Sequence, residues 1–420
     1  MRILIGTVEI AGQIPIFADG FRRLGHQVTT AICDRNRFYP EIQYDVNICP
    51  ETFSWSWKVN RMFQLTLLPQ LVTRHDVFVF QWCGTSLMME NRDYPLLKFL
   101  GKRIVSLLVG DDVRHSSAYG QEFDSITLSP DHSQRLLSDP LTRPLRSLRM
   151  AERYSDLILS GPNMSGLAVR PYMHFAVPLN LSEYEGEVKG REIPIVVHAP
   201  SNRSVKGTHL IVPALQRLRP EGVPFELRLL HDRPHQQVLA ELADADVVID
   251  QLHLPIHGKL GAEAMASGCA LATCNREEYE PFPPKRPIWH LDPENLDGQL
   301  RRLLTDRELR VGLAREGRAY VERYHDHVQI AQRILDALSA DESQRYDHYP
   351  TFFARAYQLP EAVVIPENLK RLTAQVVQRW GLPEGVDAQD MIARGLMSAD
   401  GLNFSEPIPR WKPAPSAATI

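Results

Sequence analysis

Short apolar runs alternate with amphipathic segments along the first half of the chain. Residues 3–6 are apolar up to Gly6, residues 14–24 repeat apolar positions at helical spacing, and residues 28–32 are apolar again. A strand, a helix and a strand within about thirty residues indicate a right-handed βαβ unit. We expect further elements of this half at residues 77–80, 104–109 and 157–160 (strands) and 94–100 and 149–154 (helices). Residues 40–75 are rich in aromatic side chains and show no period, so we predict an irregular stretch there.

The same alternation returns after an acidic, apolar-poor stretch at residues 183–192, and we place a linker near residues 180–192. The predicted strands are 195–198, 225–230, 247–250, 270–273 and 288–290, and the predicted helices are 209–218, 235–243, 259–267 and 296–322. This pattern predicts an α/β protein with two doubly wound, Rossmann-like domains at residues 1–185 and 190–335. Residues 336–420 are a C-terminal extension with a helical segment at 366–379. The sequence leaves open whether the extension packs back on the N-terminal domain, binds a partner or is disordered.

Composition and charge narrow the class of partners. The chain has 420 residues, 44% of them hydrophobic and 23% charged, and a formal net charge of −4. A net negative charge gives no sign of the basic surface that binding of nucleic acid requires. No apolar run approaches the roughly 20 residues of a membrane span, which leaves only peripheral membrane contact open. The apolar run near the N-terminus is too short for a signal peptide.

The cysteines predict a reduced, cytoplasmic protein without a bound metal. There are five of them, an odd number, and no two stand at a metal-ligand spacing: Cys33, Cys49, Cys83, Cys269 and Cys274. Scattered thiols of this kind are typical of core residues in a reducing compartment.

Two stretches of the second half have the chemistry of an anion site. Residues 198–208 (HAPSNRSVKGT) form a basic loop between a predicted strand and helix, and residues 258–268 (GKLGAEAMASG) open a second helix directly after a glycine. Arg203 and Lys206 supply fixed cations in the first, and the second offers unpaired backbone N–H groups at the positive end of a helix dipole. Glu263, one turn into that helix, suits a ribose hydroxyl better than a phosphate. The ligand implied is a nucleoside diphosphate.

These two stretches resemble the retaining glycosyltransferases of GT-B type, in the group 1, glycogen-synthase-like family. The resemblance implies that Arg203 and Lys206 bind the donor pyrophosphate and that Glu263 holds the ribose. It implies two domains that face each other across a cleft, with the donor on the C-terminal one. The donor contacts implied are Gly12, Ser201, Asn202, Arg203, Lys206, Gly258, Leu260, Gly261 and Glu263. One feature departs from the family, because Pro255 stands where the first of two glutamates is usual.

The acceptor side is predicted at the end of the strand at residues 104–109. Asp111, Asp112, Arg114 and His115 follow this strand, and ligands of open α/β sheets lie beyond the carboxyl ends of strands. Asp111 or Asp112 could deprotonate an acceptor hydroxyl, with Arg114 and His115 beside it. The alternative, in which the aspartates cap a helix, has equal weight. For Gly12, contact with a ligand and a purely local turn requirement are likewise both open.

The sequence therefore predicts an enzyme that transfers a sugar from a nucleotide-sugar donor to an acceptor hydroxyl, with Asp111, Asp112, Arg203 and Lys206 as catalytic residues. The resemblance implies retention of configuration. No Asp-x-Asp motif stands at a strand end in a metal-binding context, so we expect transfer without a metal, and we expect no cofactor. The acceptor could be a glycan, a lipid-linked sugar, a small molecule or a protein. Two other hypotheses remain: a nucleotide-sugar epimerase or hydrolase of the same fold, and a non-catalytic binding scaffold. The replacement of the usual glutamate by Pro255 favours the scaffold hypothesis. Truncation of Lys206 in a polar loop should leave the melting temperature unchanged.

Overall fold

A computed structural model describes residues 1–33, 35–48, 57–110, 112–113, 142–164, 166–281, 283–349 and 364–412, with the backbone alone for 57–65. The N-terminal part forms a parallel sheet of seven strands in the order β3-β2-β1-β4-β5-β6-β7. Its strands are β1 (Arg2–Gly6), β2 (Gln27–Ile32), β3 (Val46–Asn47), β4 (Val77–Gln81), β5 (Arg103–Leu107), β6 (Leu157–Ser160) and β7 (Met173–His174).

Helices cover both faces of this sheet, as near-continuous apolar strands require. They are α1 (Gln13–Arg23), α2 (Trp57–Arg74), α3 (Tyr94–Phe99) and α4 (Thr142–Tyr154). Ile3 and Ile5 of β1 pack with Phe17 and Phe21 of α1 in one core cluster. Leu4 lies on the opposite face in a second cluster, because side chains alternate along a strand.

The second sheet is parallel and has five strands in the order β12-β11-β10-β8-β9. Its strands are β8 (Ile195–His198), β9 (Glu226–Leu229), β10 (Val247–Ile249), β11 (Ala270–Thr273) and β12 (Trp289–His290). Its helices are α5 (Thr208–Leu218), α6 (His235–Asp244), α7 (Lys259–Ala266), α8 (Leu296–Thr305) and α9 (Arg307–Tyr324). The prediction of two doubly wound α/β sheets is confirmed, whereas the domain boundaries stay predictions.

Among the described residues after Tyr324, three α-helices follow: α10 (His327–Ser339), α11 (Glu367–Trp380) and α12 (Ala388–Ala393). Helix α10 packs on α1, where the His327 ring bonds the Asp19 carboxylate at 2.7 Å. Helix α11 packs on α4, where the fully buried Arg149 donates to the Thr373 hydroxyl at 2.8 Å. These two helices follow the second sheet in the sequence, but they pack against the N-terminal part.

Two predicted elements differ from the structure. The stretch 40–75 is not irregular throughout, because α2 occupies Trp57–Arg74. Its apolar residues are spread around the helix and do not form one face, so the spacing of apolar residues did not indicate a helix. The predicted single helix at 296–322 is two helices, because the Asp306 carboxylate accepts from the Leu309 N–H and caps a new helix.

Candidate functional site

The candidate site is a cleft between the carboxyl ends of the two sheets. In the second sheet, β8 lies between β9 and β10, so the loops after β8 and β10 leave at the point where the chain reverses its winding direction. Ligands of open parallel sheets bind at such a point. A cavity of about 340 Å³ lies there. Its walls come from the loops after β1 and β2, from the loops after β8 and β9, and from the start of α7.

Lys206 enters this cavity as half of an ion pair. Its Nζ lies 2.6 Å from Oδ1 of Asp250, a fully buried residue at the end of β10. The other oxygen, Oδ2, accepts the Gly258 N–H at 2.7 Å. Burial alone would raise the pKa of Asp250, but Lys206 and these hydrogen bonds hold that pKa below its ordinary value. Asp250 therefore fixes Lys206 beside the N-terminus of α7 and also lowers the net charge there.

The N-terminus of α7 is open toward an anion. Gly258 is the N-cap residue and has no side chain that could cap the helix. No described residue accepts a hydrogen bond from the N–H groups of Lys259 and Leu260. An added Cβ at Gly258 would lie 3.3 Å from the Lys206 Nζ, so a lysine and a helix N-terminus meet at one point. Both features favour a bound phosphate.

Glu263 lies on the cavity wall and is nearly fully buried. Its Oε1 contacts His235 Nε2 at 2.7 Å, Lys259 Nζ at 3.2 Å and the Tyr184 hydroxyl at 3.3 Å. Burial would raise the pKa of Glu263, but Lys259 and His235 outweigh it and lower that pKa. Glu263 is therefore ionised, and its Oε2 has no donor among the described residues.

The N-terminal part closes the other side of the cleft. The Tyr39 ring lies 4.6 Å from the His235 ring, and the Lys259 ammonium lies 5.0 Å from the centre of the Tyr39 ring. The same ammonium donates to the Ala11 carbonyl at 2.6 Å. Gly12 has a positive φ of 69°, and a Cβ there would come within 2.7 Å of the Tyr39 ring. Local backbone and packing therefore already require this glycine.

The structure brings only part of the predicted donor set to the cavity wall. Ser201, Lys206, Leu260 and Glu263 line it. Arg203 and Asn202 are exposed in the loop outside the lining, where the Asn202 side chain accepts from the Ser204 N–H at 3.0 Å and orders the loop.

Gly261 also lies outside the lining. A Cβ on Gly261 would meet His257 at 2.6 Å, so this glycine serves the packing of α7. The place of the missing family glutamate, Pro255, is buried, and its carbonyl accepts from the Arg276 N–H at 2.8 Å.

On the predicted acceptor side, the structure describes Asp112 alone, since Asp111, Arg114 and His115 lie outside the described residues. Asp112 is buried and accepts backbone N–H bonds from Gly110 at 2.7 Å and Cys83 at 2.8 Å. These contacts tie together the chain segments after β4 and β5, which is what a structural cap does. A catalytic role for Asp112 stays a prediction.

The cavity wall also contains residues that the sequence did not assign to the site, among them Tyr39, Arg233, His235 and Lys259. Lys259 stands inside the quoted motif, four residues before Glu263, and this spacing on a helix was the available signal. Tyr39 is remote in sequence, and nothing local indicates its position. Arg233 is exposed and forms no ion pair with a described residue, which makes it the uncompensated cation of the cavity.

The cysteine prediction is wrong for one residue. Cys33 is disulfide-bonded, whereas Cys83, Cys269 and Cys274 are free. The thiols therefore give no argument for a reducing compartment, and the cytoplasmic location stays a prediction. Across the described ranges, no cluster of three potential metal ligands forms. Within those same ranges, no helix has both the length and the apolarity to span a bilayer.

Comparison with known proteins agrees with this architecture. Residues 217–336 match a family model described as glycosyl transferase-like. No curated protein matches the chain in sequence. Sucrose-phosphate synthase from Thermosynechococcus elongatus is 12% identical, with a TM-score of 0.53 over 81% of this chain and 100% of that one.

The catalytic domain of starch synthase IV from Arabidopsis thaliana, solved with ADP and acarbose bound, is 12% identical. Its TM-score is 0.52 over 80% of this chain and 98% of that one. The resemblance in the sequence is thereby confirmed at the level of the fold: residues 217–336 match a glycosyl transferase-like model, and the chain shares the GT-B fold of these two glycosyltransferases.

Proposed function

We propose that this protein transfers a glycosyl unit from a nucleoside-diphosphate sugar to an acceptor hydroxyl. One observation carries the proposal: the uncapped N-terminus of α7 meets Lys206 at the cavity, and Glu263 follows one turn later. This places an anion site and a hydrogen-bond acceptor about one helical turn apart, on the order of 5 Å, which suits a phosphate and its ribose.

The cavity offers a place for each part of the donor. The diphosphate would lie at the start of α7, near Lys206 and within reach of Arg233. The ribose hydroxyls would donate to the free Oε2 of Glu263. The nucleobase would pack against the apolar wall that Leu230 and Val238 provide beside the Glu263 helix.

Loss of the nucleoside diphosphate creates negative charge on the leaving oxygen. Backbone dipoles and cations that are already in place can stabilise this charge without reorganisation. The start of α7, Lys206 and Arg233 supply such groups, which supports a transfer without a metal. Retention of configuration rests on the family resemblance alone. The class of acceptor stays open between a glycan, a lipid-linked sugar, a small molecule and a protein.

The test is a product assay with sugar-labelled nucleotide donors, preceded by a thermal-shift screen of nucleoside diphosphates. A ligand that binds the native state raises the melting temperature. We expect one nucleoside diphosphate to do so, and the matching donor to yield a labelled acceptor. Free sugar alone would indicate a hydrolase, and an isomerised donor would indicate an epimerase. A protein that binds no nucleotide would overturn the proposal.

Glu263→Gln is the matched variant, because the amide has the size of the carboxylate and no charge. It should weaken binding of the nucleoside diphosphate while inorganic pyrophosphate binds as before. Glu226→Gln, on an exposed strand residue outside the cavity, is the control and should change neither affinity.

A further inference from the structure

An apolar and basic surface lies at the amino edge of the first sheet. All strands of this sheet are parallel, so their starting residues share one edge, opposite the cleft. Helix α3 ends there, and Phe99 and Leu100 form the turn into β5. Phe99 is 86% exposed, whereas Met1, Leu96 and Leu100 are exposed by 43% to 47%. Of the nine large apolar side chains that the described residues expose, these four lie at or within one turn of this edge.

The turn itself projects from the fold. An added Cβ at Gly101 would meet no atom within 4 Å, so the surface around Phe99 and Leu100 is open. The sequence of the segment, residues 96–103 (LLKFLGKR), alternates apolar and basic side chains and contains no acid. Isolated exposed apolar residues are normal in a monomer, but a group of them inside a basic frame indicates a binding surface.

The charges at this edge are not balanced. The acids next to the strand starts are already paired, since Asp76 contacts Arg2 at 2.6 Å, Asp156 contacts Lys98 at 2.7 Å and Asp45 contacts Arg22 at 3.1 Å. Three further cations, Arg74, Lys102 and Arg103, form no ion pair with any described residue. Hydrogen bonds to the backbone hold this segment in place. The Arg103 backbone N–H donates to the Asp76 carbonyl, and the Lys102 ammonium donates to the His75 carbonyl. The edge thus carries an excess of positive charge although the whole chain is acidic.

We propose that this amino-edge surface, formed by Met1, Arg74, Phe99, Leu100, Lys102 and Arg103, docks the protein on an anionic lipid bilayer. Phe99 and Leu100 would enter the interface between headgroups and acyl chains, and the three cations would face anionic headgroups. A purely polar anion would leave the apolar turn in water, and a neutral apolar partner would leave the cations uncompensated. Because the cleft lies at the opposite edge of the sheet, a docked protein keeps it open to donors from solution.

The experiment is co-sedimentation of the full chain with vesicles of phosphatidylcholine, with and without phosphatidylglycerol. Phe99→Ser/Leu100→Ser removes the apolar turn, and Arg74→Gln/Arg103→Gln removes two cations. Phe404→Ser and Lys285→Gln are the matched controls. Both side chains are exposed, are remote in sequence from the residues of this edge, and lie outside the cavity.

We expect binding only to vesicles that contain phosphatidylglycerol. The partition coefficient should fall about tenfold or more in the apolar variant. It should fall about fivefold for each cation removed, and added salt should abolish this second effect. The two controls should bind like the parent. Nucleotide binding should be unchanged in all four variants, which separates this surface from the cleft.

Any of four results would overturn the proposal. The parent protein could fail to bind either kind of vesicle, or bind both equally. The apolar variant could bind as tightly as the Phe404→Ser control. Finally, the parent could be a dimer that Phe99→Ser/Leu100→Ser converts to a monomer, without any vesicle binding, in which case the surface covers a second copy of the chain.

Discussion

Lys206 has a structural contact in addition to its proposed role in binding. Its partner, Asp250, is fully buried and also holds the N–H of Gly258. Truncation of the lysine would leave a buried carboxylate without its cation, which typically costs about 3–5 kcal/mol. The expectation that truncation leaves the melting temperature unchanged therefore loses its basis, since it treated Lys206 as a solvated loop cation.

A double-mutant cycle separates the two roles. Lys206→Met should lower the free energy of unfolding, and Lys206→Met/Asp250→Asn should recover part of this loss because the uncompensated charge is gone. Urea unfolding measures both. Neither protein should bind a nucleoside diphosphate like the parent, as calorimetry would show. If the double variant binds normally, Lys206 serves only to neutralise Asp250.

Arg233 and Arg203 form a natural pair for comparison. Both are exposed loop arginines, but only Arg233 lines the cavity. A charge-assisted hydrogen bond contributes about 1.5–3 kcal/mol, and solvent screening places an exposed residue at the low end. Arg233→Ala should therefore weaken binding of a nucleoside diphosphate roughly tenfold. Arg203→Ala should change it less, and an equal or larger effect of Arg203 would restore the assignment made from the sequence.

At the scale of elements, Gly268 explains why the motif after α7 ends in glycine. Its φ is +81°, and an added Cβ would lie 2.6 Å from the Glu187 carbonyl oxygen. Gly222 has the same φ of +81° but nothing within 4 Å of an added Cβ. Comparison of the two positions therefore separates the backbone cost from the steric cost.

We expect Gly222→Ala to reduce the free energy of unfolding by about 1 kcal/mol, the cost of a left-handed residue with a side chain. Gly268→Ala should cost more, about 2–4 kcal/mol, because the segment around residues 186–187 must also move away from α7. Urea unfolding of the two variants tests this order. Equal losses of unfolding free energy in the two variants would show that residues 186–187 move away from the new side chain at no cost.

Elements with strong local patterns could be predicted from the sequence, and elements held by distant contacts could not. Strands β1, β4 and β11 are built on short apolar runs, and prediction and structure agree on them to within a residue or two. Strands β3 and β7 have two residues each and exist only because a neighbouring strand is already in place. Helix α2 shows no apolar stripe, so its existence is likewise not evident from local sequence.

The candidate site follows the same rule. Lys206 and Glu263 stand in local motifs, and the structure places both on the cavity wall. Tyr39 contacts His235 across 196 positions of sequence, a distance that no spacing argument covers. The Asp250 contact of Lys206 could not be seen either, because strand order in the sheet decides which strand end lies next to the basic loop.

At the scale of the whole molecule, buried histidines occur in both halves of the chain and should limit stability in mild acid. His174 lies on β7, whereas His257 precedes α7 and its ring lies 5.7 Å from that of His325. Burial lowers the pKa of His174 and His325 to about 3 and the pKa of His257 to about 4, against an ordinary value of 6.5. All three are therefore neutral in the folded protein at neutral pH.

The sign of the pH dependence follows from these depressed pKa values. The unfolded chain takes up protons at these positions below about pH 6.5, whereas the folded chain does not until about pH 4 or lower. Folding stability is thus complete above this window and falls as the pH drops through it. Each histidine contributes a slope of about 1.4 kcal/mol per pH unit, so the three together give roughly 4 kcal/mol per unit.

Urea unfolding between about pH 7.5 and pH 5 tests this expectation in a range where most carboxylates stay ionised. His325→Gln should reduce the slope by about 1.4 kcal/mol per pH unit, the share of one histidine. His231→Gln is the control, because His231 is exposed in the loop after β9. A stability that stays constant down to pH 5 would mean that water or a rearranged neighbour reaches these rings once they are protonated. A slope that His325→Gln leaves unchanged would assign the acid sensitivity to other groups.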